Sequence, residues 1–483
     1  MVGRSAGRGR MKVMRAAFLR EGIGATRRPR ARAFLPLMIF LNACVPATQS
    51  EAPTRAALPV TIADSTLPPM KTFTARAMPA EVRSNKAVAQ DFLDLSFQME
   101  SGRSLPVLTR FETPITVAVR GPAPATLAPD LRRLLARLRR EAGIDISQVY
   151  DPSANVIVQA VTRAEIRDVL PDAACFVAPN VSSLAEYRKL RRSARTDWTR
   201  LQTRERLTVF LPNDSSPQEV RDCLHEELAQ SLGPLNDLYR LSDSVFNDDN
   251  VHTVLTGFDM LILRAYYDPA LRSGMSRTQV ARALPAILSR LNPAGDSGPG
   301  QRASFTPRGY SDAIQTALGR STDPADRRIA ASEAVRIADR MGWQDHRRAF
   351  AHFAFGRVLQ LSDPVAAQAH FQLADRLYTA TPGTALHRAY VATQLAAYAI
   401  STGDGDTALR LLAPHLDTAQ RGENAALLST LLLLQAEALD LSGRPEEARV
   451  VRVDSLGWAR YGFGPDWAVR AKQREIASLN PRK

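Results

Sequence analysis

The stretch CLHEELAQSLGPLND, Cys223 to Asp237, decides how the middle of this chain is read. His225 and Glu226 are adjacent, as at the start of an H-E-x-x-H zinc-binding helix, but Ala229 stands where the second histidine belongs. Positions i and i+4 share one helix face, so two imidazoles reach one metal while the glutamate polarises its water. Shifted by one residue, the stretch fits a longer pattern. Glu226, Glu227, Gln230, Gly233 and Asn236 fall on the places of H-E-x-x-H-x-x-G-x-x-H. Glu227 takes the general-base place, and Glu226, Gln230 and Asn236 take the three ligand places. Gly233 takes the turn. In this register every imidazole has been replaced.

The flanks support a helix. Ser216 is placed to cap it, Pro217 fits its first turn and Gly233 ends it. Upstream, SNKAVAQDFLDLSFQM from Ser84 and LAPDLRRLLARLRREAG from Leu127 carry apolar residues at helical spacing. ITVAVRG, NVIVQAVT and RLTVFLP read as strands. The order predicts an α+β domain over 85–300. From about Pro307 the pattern is helical through 301–483. Asp363, Gly403 and Gly443 recur 40 residues apart in small-residue turns, with Ala408 and Ala448 five after their glycines. This half resembles tetratricopeptide-type helical repeats, with a non-repetitive helical bundle as the alternative.

Further on, YYDPALRSGMS sets Gly274 and Met275 in a tight turn, similar to the methionine turn beneath a metzincin site. HEELAQSLGPLND, FND and LTGFDMLILRAYYDPALRSGM together resemble the family catalogued as domain of unknown function 2927, proteobacterial lipoproteins with a zincin-like domain. The resemblance covers roughly 85–290 and is most specific from Cys223 to Met275. It implies a zincin-like fold and an envelope location, and brings no activity.

Glu226, Gln230 and Asn236 are oxygen donors and partly neutral, which suits Ca²⁺, Mg²⁺ or Mn²⁺ better than Zn²⁺. His225 and His252 are alternative ligands and the only histidines before the helical half. The expectation is no cofactor, with a divalent cation as the alternative. Three readings stay open: a hydrogen-bonded polar cluster that orders the next loop, a peptide- or glycan-binding cleft without catalysis, and a metallohydrolase using Glu227. SDSVFNDDN, with Asp243, Asn247, Asp248, Asp249 and Asn250, reads as a solvated turn before a cation loop. Asp259 on an apolar helix needs a partner, with Arg264 or the glutamates as candidates.

The net charge of +14 is concentrated at the N-terminus, where residues 1–32 hold ten Arg or Lys and one Glu. No later stripe interleaves basic and aromatic residues, so nucleic acid is not an expected partner. Arg27, Arg28, Arg30 and Arg32 precede the short apolar run AFLPLMIFL, then LNAC. This is a secretory signal, and LNAC resembles a lipobox with Cys44 as the lipidated residue. The expected layout is a signal peptide over 1–43 and a flexible Pro/Ala/Thr-rich tether over 44–84. The expected place is the bacterial envelope, facing the periplasm, with a membrane anchor and a protein or peptide partner. Besides Cys44 there are only Cys175 and Cys223, read as one disulfide in an oxidising compartment.

Overall fold

Strands and helices alternate through the first half of the computed structural model, which describes residues 66–74, 83–297, 304–319 and 322–483. They are α1 (Asn85–Ser96), β1 (Ile115–Arg120), α2 (Leu127–Ala142), β2 (Ile146–Gln148), β3 (Val156–Val161), α3 (Arg163–Arg167), β4 (Phe176–Pro179), α4 (Leu184–Leu190), β5 (Leu207–Pro212) and α5 (Pro217–Leu232). The sheet order is β2-β1-β3-β5-β4. The first four strands are parallel, with Val117 opposite Val156 and Val156 opposite Leu207, and β4 runs antiparallel at one edge. The strands are thus interleaved with helices in a mixed α/β sheet, where the sequence suggested segregated α+β. Parallel neighbours need crossovers, and the short α3, β4 and α4 carry too little periodicity to stand out in sequence.

Strand alternation sorts the core into two sides. Leu207, Val209 and Leu211 of β5 join the large cluster formed with α1, α2 and α5, whereas Phe210 points to the smaller one with Val161, Ile166, Phe176 and Leu184. Central β5 is buried along its whole length, as a covered parallel strand must be. Helix α2 buries Leu127, Leu131, Leu134, Leu135 and Leu138 on one face, and Gly143 ends it at φ 68°. Cys175, next to β4, and Cys223 on α5 form a disulfide across 48 residues of chain, with Cα atoms 5.9 Å apart.

Among the described residues no strand follows β5. Helices α6 (Gly257–Tyr266) and α7 (Arg277–Leu291) complete the first domain's core. Then come α8 (Arg308–Leu318), α9 (Pro324–Arg340), α10 (His346–Leu359), α11 (Pro364–Thr379), α12 (Ala385–Ser401), α13 (Gly405–Leu412), α14 (Leu416–Arg421), α15 (Ala425–Leu441), α16 (Pro445–Phe463) and α17 (Asp466–Ala477). Gly403 and Gly443 sit at φ 80° and 73° just after α12 and α15. Ala408 and Ala448 are fully buried where the next helix folds back. No described helix is long and apolar enough to cross a membrane.

The two halves share a buried polar seam within one unit, Asp64–Lys483. Arg221 of α5, 2% exposed, pairs through Nη1 with Glu423 Oε2 at 3.0 Å and donates from Nη2 to the Glu423 carbonyl. Gln218 Nε2 donates to Asn424 Oδ1 at 3.0 Å, and its Oε1 accepts from the Ala426 N–H at 2.9 Å. Tyr461 OH donates to Asp130 at 2.7 Å. Glu423 lies at φ 49°, a left-handed conformation uncommon for a non-glycine residue and held here by the Arg221 contacts.

The signal peptide (1–43), Cys44 and most of the stretch read as a tether lie outside the described residues. Within that stretch, 66–74 is packed instead of free. Phe73 stacks on Trp458 at 4.6 Å, Lys71 N–H donates to the Gly457 carbonyl, and Leu67 is buried against Ala459 and Val469.

Two outcomes follow from this architecture. Glu423→Ala leaves a guanidinium buried without its carboxylate and should cost about 3–5 kcal/mol in denaturant unfolding. Cys175→Ser with Cys223→Ser should cost ~2–4 kcal/mol, with a matching loss when wild type is reduced.

Candidate functional site

Helix α5 is held on three sides. Ser216 caps it by accepting the Glu219 N–H, and Pro217 opens the first turn. At its other end Arg204, 2% exposed, donates to the carbonyls of Gln230 (2.6 Å) and Gly233 and to Thr109 Oγ1 (3.2 Å). A buried cation thus answers carbonyls that the helix leaves unpaired. Nothing in the local pattern around Gly233 points to Arg204. Gly233 itself is required by packing, since a Cβ there would come within 2.9 Å of the Tyr266 ring.

The predicted residues separate along the helix. His225 faces inward, and its Nδ1 accepts the Leu255 N–H at 3.2 Å, so its proton sits on Nε2. Burial, with Arg137 and Arg221 adding to it, holds its pKa well below the usual histidine range. His252 bonds the Ser242 carbonyl through Nε2 at 3.1 Å, and burial with His387 nearby lowers it to about 4. Asn236 is turned to α1, where Nδ2 donates to the Asp94 carbonyl at 3.0 Å. Met275 sits in its tight turn, with Gly274 at φ 86° and its sulfur accepting the Arg272 N–H at 3.3 Å.

Glu226 and Glu227 point into an acidic group that sequence spacing does not reveal. Glu227 is 5% exposed, its Oε2 has no hydrogen-bond partner, and its charged neighbours are Glu226 and Glu100. Glu226 in turn faces Glu100 and Asp248. Asp237 lies within hydrogen-bonding reach of Glu100, and its Oδ1 is buried without a partner. Burial pushes Glu226 up to about 8, with Glu100 and Asp248 adding to it. Burial likewise takes Asp248 to about 6, and Glu227 and Asp237 well above the carboxylate range. Among the described residues no cation pairs with them. The arginines near this region are spent elsewhere: Arg204 on carbonyls, Arg221 on Glu423, and Arg240 on Asp91 and Asp94 at 2.8 Å each.

The polar cluster expected to order the loop by hydrogen bonds is therefore a different object. Among the described residues, no hydrogen bond reaches the side chains of Glu226, Glu227 or Gln230. The acids are spread over the turn after α1, helix α5 and the following loop. Among the described residues, no three His, Cys, Asp or Glu side chains converge to hold a metal ion.

The acidic loop is not the solvated turn expected for it. Asn247 Nδ2 donates to the Leu241 carbonyl at 2.6 Å, and buried Asp249 accepts the Val251 N–H at 3.0 Å and pairs with His387 at 2.9 Å. Packing of the helical half against this loop buries it. Asp259, fully buried, takes neither of its expected partners. It accepts from Ser244 Oγ (2.5 Å), the Val245 N–H (3.2 Å) and the Thr256 N–H (2.8 Å), while Arg264 reaches the Glu141 carbonyl.

The raised carboxyls bind protons more tightly in the folded chain than in the unfolded one. Their contribution to stability is present below the ordinary carboxylate pKa and is lost as pH rises through about 6 for Asp248 and about 8 for Glu226. The melting temperature should fall between about pH 5 and pH 9, and Glu226→Gln should flatten the upper part of that fall.

No curated protein matches the chain. Residues 85–286, from the start of α1 to within α7, match the family model described as Protein of unknown function (DUF2927), and over that span the α/β domain is similar to that family.

Proposed function

We propose that this chain is an exported, lipid-anchored protein of the bacterial envelope, facing the periplasm. Its α/β domain is a metzincin-like frame used for binding instead of hydrolysis, and the tetratricopeptide-like helices supply a partner surface. One observation carries the binding role. Within α5, Glu226 and Glu227 interact with Glu100, Asp237 and Asp248, and among the described residues no cation pairs with any of the five. Buried charge at Arg221 and at Asp259 is matched by a partner. Carboxyls left without a counter-charge favour the approach of positive charge.

The competing reading is a metal-dependent peptidase or cell-wall hydrolase, with Glu227 as base and a hard divalent cation on Glu226, Gln230 and Asn236. The side-chain bond of Asn236 to α1 and the inward turn of His225 weigh against it.

The test is a thermal-shift panel on the purified mature protein with CaCl2, hexalysine, hexaarginine and a neutral peptide, beside a casein-hydrolysis assay. At least one cationic ligand should raise the melting temperature of wild type but not of Glu227→Gln. Failure of every cation, or casein turnover lost in Glu227→Gln, would overturn the binding role. The anchor has its own readout: Cys44→Ala should abolish lipid labelling, and unchanged labelling refutes it.

A further inference from the structure

We infer that the exposed face of α17 rests on an anionic lipid surface, with Trp467 at the level of the headgroups and Arg470 and Arg474 against the phosphates. The inference rests on the lipid-anchor reading above and adds the face that the anchor turns to the membrane.

The face is a stripe at helical spacing. Trp467, Arg470, Ala471 and Arg474 are exposed and stand at i, i+3, i+4 and i+7, while Val469 and Ile476 are buried on the opposite side. Trp467 is 73% exposed, a large aromatic surface left in water. Among the described residues no carboxylate pairs with Arg470 or Arg474, whereas Lys472 and Glu475 beside them neutralise each other at 2.9 Å. An indole suits the bilayer interface because it joins an apolar body to one N–H, and a guanidinium bonds phosphate oxygens in pairs. The apolar side of α17 is already committed to the protein, so the contact is peripheral and made by the stripe alone.

A second observation says what covers this stripe: the chain from Cys44 enters the fold on it. Thr66, the first described residue, accepts at Oγ1 from Nη2 of Arg470 itself. Leu67 is buried against Val469, and the Pro68 carbonyl accepts from Arg460 Nη1 at 2.9 Å. Residues 66–74 thus begin on α17 and continue along α16, where Lys71 and Phe73 make their contacts. Cys44 lies about twenty residues upstream, a length of chain that spans at most ~75 Å. A lipid on Cys44 therefore holds the fold by α17. Tethering raises the local concentration of the stripe at the bilayer, so one indole and two arginines suffice for a contact too weak to hold alone.

The experiment places the acylated mature protein in vesicles of phosphatidylethanolamine and phosphatidylglycerol, with bromine on the acyl chains near the headgroup. Tryptophan emission of wild type should fall relative to unbrominated vesicles, and that of Trp467→Phe should not. A second arm cosediments the Cys44→Ala protein with the same vesicles at low salt. Arg470→Gln with Arg474→Gln should weaken that partition about tenfold or more, and phosphatidylcholine vesicles should not pellet the protein. Arg336→Gln removes the same charge from an exposed arginine of α9 and should change nothing. An equal loss in Arg336→Gln would reduce the effect to net charge. Undiminished iodide quenching of Trp467 on the vesicles would leave the stripe free for a protein partner. Either result overturns the lipid assignment. Lipid labelling of Cys44 tells the two failures apart: labelled protein without bromine quenching overturns this inference alone, and unlabelled protein overturns the anchor on which it rests.

Discussion

The buried pair between Arg221 and Glu423 is the contact on which the rest of the molecule depends. It sits in the first half of α5 and joins the sheet domain to the turn before α15. Desolvating a guanidinium and a carboxylate is expensive, and their attraction offsets that cost only where geometry is good and further bonds are made. Here the Glu423 carbonyl accepts a second bond from Arg221, and the Gln218–Asn424 bond ties the same two segments alongside. The consequence is positional: α5 cannot rotate or slide without breaking the seam. The disulfide at Cys223 and the Arg204 cap at its far end remove the remaining freedom.

A helix held so firmly can present an unfavourable face. Glu226 and Glu227 are adjacent acids, and Glu100, Asp237 and Asp248 add more negative charge from other segments. In a pliant structure these groups would swing to water. Pinned, they take up protons instead, which is why their pKa values rise together. Other buried carboxylates nearby do find partners. Asp259 collects neutral donors, Asp249 takes His387, and Arg240 joins Asp91 to Asp94. Among the described residues, the acids around Glu226 and Glu227 have no cation paired to them, which is why the proposed binding role is placed there.

Much of this was legible in sequence where local chemistry decides. Ser216, Pro217 and Gly233 marked the ends of α5, and the leucine spacing of α2 and the β-branched runs of β1, β3 and β5 marked their elements. Short β4 and its flanking helices were not legible, because four to seven residues carry no usable period. At the site, Glu226 and Glu227 could be named from a motif. Glu100 could not: it enters through the turn after α1, far away in sequence. Asp248 was visible only as part of a polar loop, whose burial depends on helices more than a hundred residues later.

Sequence by itself determined which segments become helix or strand, the two-part division of the chain and the all-oxygen character of the α5 face. These are properties of spacing and side-chain type within one or two turns. Tertiary structure alone decided that the sheet is largely parallel, that His225 turns inward and that Arg221 meets a buried carboxylate while Glu226 and Glu227 meet only other acids. Those outcomes depend on which distant groups arrive at each face, because burial and counter-charge, not residue identity, set what a carboxylate can do.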